Sequence, residues 1–178
     1  MESKTRLQLY YSEMESPLGS LTLFASDEGL CSLEYEQAEQ AIMKMKMNKH
    51  FTKYTFLRAE ERLLEATKQL REYFYGKRTS FQLPLDLRGT PFQLKVWHVL
   101  KNIRYGETMS YKQVAERLGK PKAVRAVGGA NNQNPIPIII PCHRVVGSNG
   151  ALGGYAGGLN KKEYLLQLEK QSLKKHTS

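Results

Sequence analysis

The chain has 178 residues, 40% of them hydrophobic and 25% charged, enough for one large domain or two small ones that each bury a core. Two cysteines, Cys31 and Cys142, exclude a disulfide framework and a cysteine-rich metal site, and they fit a reducing intracellular compartment. The net charge of +10 is confined to one half: residues 1–89 carry 13 Lys/Arg against 13 Asp/Glu, and residues 90–178 carry 14 against 4, a basic surface of the kind that attracts phosphates by releasing their counterions.

Met1 to Arg6 lacks the apolar core of a signal peptide, and no apolar run approaches a membrane span, so a soluble, non-secreted protein is expected. Leu7–Tyr11 and Leu21–Ala25 are short β-prone runs joined by the turn signal Ser16-Pro17-Leu18-Gly19. Asp27-Glu28-Gly29 turns into a third run, Leu30–Tyr35, which predicts an antiparallel meander. Glu36–His50 is polar and rich in Met, and a helix is expected within it. Glu60–Tyr75 reads as a helix with Leu63, Leu64, Thr67, Leu70, Tyr73 and Phe74 on one face, stopped by Gly76. Phe81–Leu87 is apolar at alternate places and reads as a further strand. Cys31 and His50 are too few for a metal site and are taken as structural.

Thr90-Pro91-Phe92-Gln93 combines an N-cap, a proline at the first helical position and a capping-box glutamine. The helix runs to about Asn102 and is expected to bury Phe92, Val96, Val99, Leu100 and Trp97, with His98 a packed or surface residue. Tyr105-Gly106-Glu107 is a turn. Ser110-Tyr111-Lys112-Gln113 is a second capping box, opening a short helix to Leu118. Gly119 ends it and Pro121 starts the next, Lys122 to about Ala130, so the pair reads as a helix-turn-helix. Ala123, Ala126, Gly128, Gly129 and Ala130 make its second helix unusually small. Long polar side chains read base edges in a major groove; small ones suit close approach to a sugar-phosphate surface such as a narrow minor groove, with Arg125 as the one long side chain.

Asn134 to Val146 sets an apolar run among Pro135, Pro137 and Pro141 and ends it on Cys142-His143-Arg144. Three missing N–H donors exclude a helix and a regular central strand, and a rigid extended segment buried through Ile138–Ile140 is expected. A free cysteine is ordinarily a small buried hydrophobe. The adjacent His143 and Arg144 favour a nucleophile instead, since a nearby base or cation activates a thiol. Neighbours in an extended chain point to opposite sides, so either the backbone turns at Cys142 or a water bridges His143 to the sulfur. Beyond it, Gly147–Gly158 is a glycine-rich loop suited to wrapping a ligand, with Tyr155 as a stacking platform. Asn160 reads as the N-cap of a last helix through Tyr164, Leu165 and Leu168 to Glu169. Residues 171–178 read as a basic, frayed tail.

Pro141-Cys142-His143-Arg144-Val145, preceded by Asn134-Pro135, resembles the acceptor-cysteine signature of the O6-alkylguanine-DNA alkyltransferases, and the resemblance is dense from about Thr90 to Glu169. It implies an α/β N-terminal domain, ribonuclease H-like, over residues 1–88. It also implies a mainly α, winged-helix-like domain with the helix-turn-helix over residues 89–170. The implied function is direct-reversal repair: base flipping, then irreversible transfer of an alkyl group from O6 of guanine to Cys142, with O4 of thymine a candidate second target. Cys142 would be the acceptor, His143 its base through a water, and Glu169 the carboxylate that orients the histidine, in triad logic. Asn134 would tie the recognition helix to the active segment. Tyr111 would crowd the 3′ phosphate and protonate the leaving guanine, and Arg125 would fill the stack. Ala123, Ala126 and Gly128 would face the DNA. Pro137, Val145, Tyr155 and Ala156 would line the base pocket, where many relatives carry serine in place of Ala156. The partner would be duplex DNA bound through its minor groove by a monomer, with no cofactor, no metal and no membrane.

Three other readings share these residues. A lesion-binding relative without transfer activity replaces the acceptor cysteine, which is present here. A thiol hydrolase would turn over, and a redox-sensing transcription factor needs a helix able to read bases.

Overall fold

The computed structural model describes residues 7–155 and 157–176. The signal-peptide reading of Met1–Arg6, the pocket role of Ala156 and the end of the tail lie outside the described residues. Two compact units emerge, one of residues 1–72 with 82–88, the other of residues 73–81 with 89–178.

In the first unit, β1 (Gln8–Ser16), β2 (Gly19–Ala25) and β3 (Leu30–Glu34) form the expected antiparallel meander. β1 buries Leu9, Ser12 and Met14 and leaves its other side chains partly or fully exposed, whereas the central strand β2 is buried without a break from Leu21 to Ala25; Leu9, Leu21 and Leu23 are wholly buried. Helix α1 (Ala38–Met47) lies within the stretch expected to hold one, and it buries Ala41 and Met45 against Leu9, Phe24, Cys31 and Phe51. Cys31 is therefore a core residue; burial, followed by the nearby Asp86 charge, pushes its thiol up to about 12.

A fourth strand, β4 (Thr55–Arg58), went unread in the sequence and pairs parallel with β1, giving the order β3-β2-β1-β4. Helix α2 (Leu64–Phe74) follows a one-turn 3-10 helix, Glu60–Arg62. The strand expected over Phe81–Leu87 is corrected to a single bridge, Leu30 to Leu85, flanked by Leu30 N–H to Pro84 O and Asp86 N–H to Leu30 O. Pro84 breaks the alternation, because it has no donor to continue a ladder.

The second unit is mostly helical. Helix α3 (Pro91–Lys101) starts on the expected capping box, with Gln93 N–H donating to Thr90 Oγ1 at 3.1 Å and Thr90 N–H to Gln93 Oε1 at 3.0 Å. Ser110 and Gln113 repeat that arrangement at the start of α4 (Tyr111–Arg117). Gly119, at φ +71°, ends α4 in a left-handed turn that glycine adopts without strain. Helix α5 (Val124–Asn132) then starts two residues later than expected, because Pro121 and Lys122 lie in the turn and Ala123 occupies the N-cap position. Val96, Trp97, Leu100, Val114, Ala115 and Val127 are buried, and the Trp97 indole donates to Ala130 O at 2.9 Å.

Helix α6 (Leu159–His176) departs from the sequence reading at both ends. Asn160 lies in its first turn and is not its N-cap. The tail beyond Glu169 is helical to His176, because Ser172 continues the buried stripe of Lys162, Leu165 and Glu169. Among the described residues no helix is long and apolar enough to cross a membrane.

Candidate active site

Cys142 opens a 3-10 turn, Cys142–Arg144. Of the two geometries left open by the sequence, the backbone turn at the cysteine is present. The segment leading to it is buried but not extended, which corrects the expectation. Ile140 N–H donates to Ile136 O at 2.9 Å, and Ile138 sits at φ +74°, a left-handed conformation that costs a β-branched residue about 1–3 kcal/mol. With no N–H at Pro135, Pro137 or Pro141, the loop closes on the few donors left. Asn134 supplies two further ties: its amide donates to Ile140 O at 2.8 Å and its carbonyl accepts from Ile136 N–H at 3.0 Å. The link from α5 itself runs through Asn131, whose amide lies 3.5 Å from Cys142 O.

After the turn, β6 (Val145–Val146) pairs parallel with β5 (Met109–Ser110). Neither two-residue strand is visible in the sequence. Their pairing carries the start of α4, and so Tyr111, to the cysteine. Lys162 of α6 is wholly buried, donates to Val145 O at 2.6 Å, and lies 5.8 Å from the centre of the Tyr111 ring. Its ammonium also reaches Gly153 O at 3.4 Å, pinning the glycine-rich loop. Lys162 was missed as a site residue, since nothing in a solvated-looking Asn160-Lys161-Lys162-Glu163 marks one of two lysines for burial.

Glu169 gathers more partners than the sequence implied. Its Oε2 accepts from His143 Nε2 at 2.6 Å, Tyr73 Oη at 2.6 Å and Arg144 at 3.1 Å. Its Oε1 accepts from Arg144 Nε at 2.8 Å and Gly106 N–H at 3.0 Å. Arg144 further donates to Ile103 O at 2.6 Å. The carboxylate is 1% exposed, and burial alone would raise its pKa. The His143 and Arg144 hydrogen bonds and charges outweigh that and draw it down to about 2. An ionised Glu169 fixes the proton of His143 on Nε2, leaving the Nδ1 lone pair, buried and with no hydrogen-bond partner among the described residues.

Burial holds His143 below the usual histidine range against the pull of Glu169, with Arg144 and Lys162 adding to the depression. Burial likewise pushes the Cys142 thiol up to about 11, opposed by Asn134 and Lys162. Tyr111 is raised by burial and then by the Cys142 charge. The resting site is thus a neutral thiol, a neutral imidazole and a protonated phenol.

Pro137, Val145 and Tyr155 are buried, while Arg125 and Ala126 are exposed on α5 and Ala123 and Gly128 are half-buried. A Cβ added at Gly128 would meet nothing closer than the Tyr111 ring at 4.0 Å, and one at Gly129 nothing within 4 Å. Packing within the protein therefore does not demand glycine at either place. His98 is exposed, on the surface as one of its two readings had it. Among the described residues no three His, Cys, Asp or Glu are grouped to hold a metal ion.

A thiol on a tight turn, an imidazole–carboxylate pair beside it and a helix-turn-helix in the same unit define a cysteine nucleophile built onto a nucleic-acid-binding module. Residues 9–87 match the family model described as the ribonuclease-like domain of 6-O-methylguanine DNA methyltransferase, and residues 91–171 match its DNA-binding domain. The chain belongs to the O6-methylguanine DNA methyltransferase family. It is 47% identical over 169 residues to the methylated-DNA–protein-cysteine methyltransferase of Methanosarcina barkeri, covering 93% of this chain and all of that one. The constitutive enzyme of that name from Bacillus subtilis is 45% identical over 166 residues, covering 93% and 98%. The structure is similar to that of Mycobacterium tuberculosis OGT in complex with DNA, at a TM-score of 0.78 and 42% identity over 93% of this chain and 94% of that one.

Proposed function

We propose that the chain reverses DNA alkylation directly, taking an alkyl group from O6 of guanine onto Cys142, one group per molecule. The observation that carries this reading is the His143 imidazole. Its Nε2 is committed to Glu169, and its Nδ1 lone pair, on the residue next to the thiol, has no partner among the described residues. As Sγ attacks the alkyl carbon, the S–C bond forms and the C–O6 bond breaks. The thiol proton passes to His143 Nδ1, directly or through a water, and the imidazolium is held by Glu169. The leaving guanine takes its proton from the Tyr111 phenol, and Lys162 steadies the negative charge that passes through the site. The thioether has no route back to a thiol, so the chain acts once and needs no cofactor.

The target must be flipped out, because a buried thiol cannot reach O6 inside a stacked duplex. The positions of α5 where glycine is not required by packing support a close approach to the minor groove, with Arg125 entering the vacated stack. Ala123, Ala126 and Gly128 would face the backbone, and Pro137, Val145 and Tyr155 would close on the base, joined by Ala156. Asn134 holds the loop that carries Cys142. Residues 89–170 would form the transfer domain, joined by residues 73–81 of the same compact unit, and the rest of residues 1–88 a separate one. The protein would act as a monomer in the reducing cytoplasm or on the nucleoid, or in a nucleus.

Titrating the protein against a known amount of O6-methylguanine duplex tests the reading. One methyl on the Cys142 peptide per protein, with the reaction then stopped, is expected. Continued turnover, or tight lesion binding with no methyl on Cys142, would overturn it.

A further inference from the structure

We infer that Tyr73 is a positioning residue for the transfer, a phenol that sets how tightly Glu169 holds the His143 proton through the one carboxylate oxygen they share. This rests on the transfer reading only for what the tuned base is used to do.

Tyr73 is wholly buried and its Oη donates to Glu169 Oε2 at 2.6 Å, the length of the His143 Nε2 bond to the same oxygen. Donors that share an acceptor compete: each draws charge from the oxygen and weakens its hold on the others. Arg144 is the third donor there, at 3.1 Å. The charged and titratable groups facing the pair are Arg144 on the turn, Tyr105 in the loop before β5, and Lys162 on α6, with Cys142 next to His143 in the chain. Arg144 and Lys162 cannot be removed without removing a charge, whereas Tyr73 can. Burial, with the Glu169 charge, keeps the Tyr73 phenol protonated far above neutrality, so it donates at every working pH. Its ring packs on Phe74 and Phe81, each with centres 5.6 Å away, and on Tyr105 at 6.0 Å. Phenylalanine at 73 would keep those contacts, and Glu169 would still accept its other four hydrogen bonds.

Tyr73→Phe therefore isolates the shared oxygen. In the DNA-free full chain, the His143 ring signals, identified by their loss in His143→Gln, should titrate about one pH unit higher than in the wild type, the size expected when one hydrogen bond to a charged group is removed. The acid limb of the single-turnover transfer rate should move up with it. Tyr105→Phe, which removes a neighbouring phenol with no hydrogen bond to Glu169, should move neither. An unmoved or lowered His143 titration in a Tyr73→Phe protein of wild-type melting temperature would overturn the inference, as would an equal shift in Tyr105→Phe. The spectroscopic arm needs no alkyl transfer, so a wild type that moves no methyl would sink the transfer reading and leave this one standing.

Discussion

Replacing Glu169 by Gln should be the most damaging isosteric change in the second unit. The carboxylate accepts five hydrogen bonds, from His143, Tyr73, Gly106 and twice from Arg144, at 1% exposure. A glutamine would turn one acceptor into a donor facing donors and leave the Arg144 guanidinium buried without its counter-charge. Breaking a buried ion pair from one side costs about 3–5 kcal/mol. The depressed pKa expresses the same interactions: a fall from 4.5 to about 2 corresponds to about 3 kcal/mol of stability at neutral pH. The sign follows from the depression. The contribution is full above the unfolded value and is lost as pH falls toward the folded one, so about 2 kcal/mol of it should be gone by pH 3. Urea unfolding of wild type and Glu169→Gln at pH 7 and pH 3 measures both. The gap should be about 3 kcal/mol at pH 7 and should shrink to about 1 at pH 3. A gap below about 1 kcal/mol at pH 7, or one that does not narrow in acid, would refute the reasoning.

Two further substitutions probe the proposed chemistry. A Cβ at Gly153 would lie 2.3 Å from Tyr111 Oη and 2.9 Å from its ring, so Gly153→Ala should displace the phenol and slow single-turnover transfer by between about tenfold and a hundredfold; Gly154→Ala, whose nearest neighbour is the Asn132 amide at 3.8 Å, should stay close to wild type, and equal rates for the two would refute a positioned Tyr111. Arg125→Ala should slow repair of a paired duplex about tenfold or more, because unstacking costs on the order of a few kcal/mol, and should barely affect repair of the free alkylated base; equal losses on both would reduce Arg125 to one more phosphate contact.

Local signals carried much of the architecture. The capping boxes at Thr90 and Ser110 and the turn at Gly119 are written within four or five neighbouring residues, where local hydrogen bonds select them, and the turns of the meander over residues 8–34 are as local, although its ladders reach further. The Pro-Cys-His-Arg motif likewise pointed to Cys142 and His143, because a thiol next to a base among prolines has few structural uses. What failed was whatever depends on contacts distant in sequence. β4 exists only because β1 offers it an edge, and the two-residue strands β5 and β6 exist only as a pair. Ile138 at positive φ could not be read from a β-branched run that by itself favours extension. Burial of Lys162, the choice of Arg144 as a carboxylate partner in place of a free cation, and the approach of Tyr73 across 96 residues to Glu169 are all consequences of how the last helix seats its Lys162–Leu165–Glu169–Ser172 stripe. The sequence determined which reactive groups the chain carries; only the fold decided which of their atoms are engaged, and so which nitrogen of His143 has no hydrogen-bond partner among the described residues.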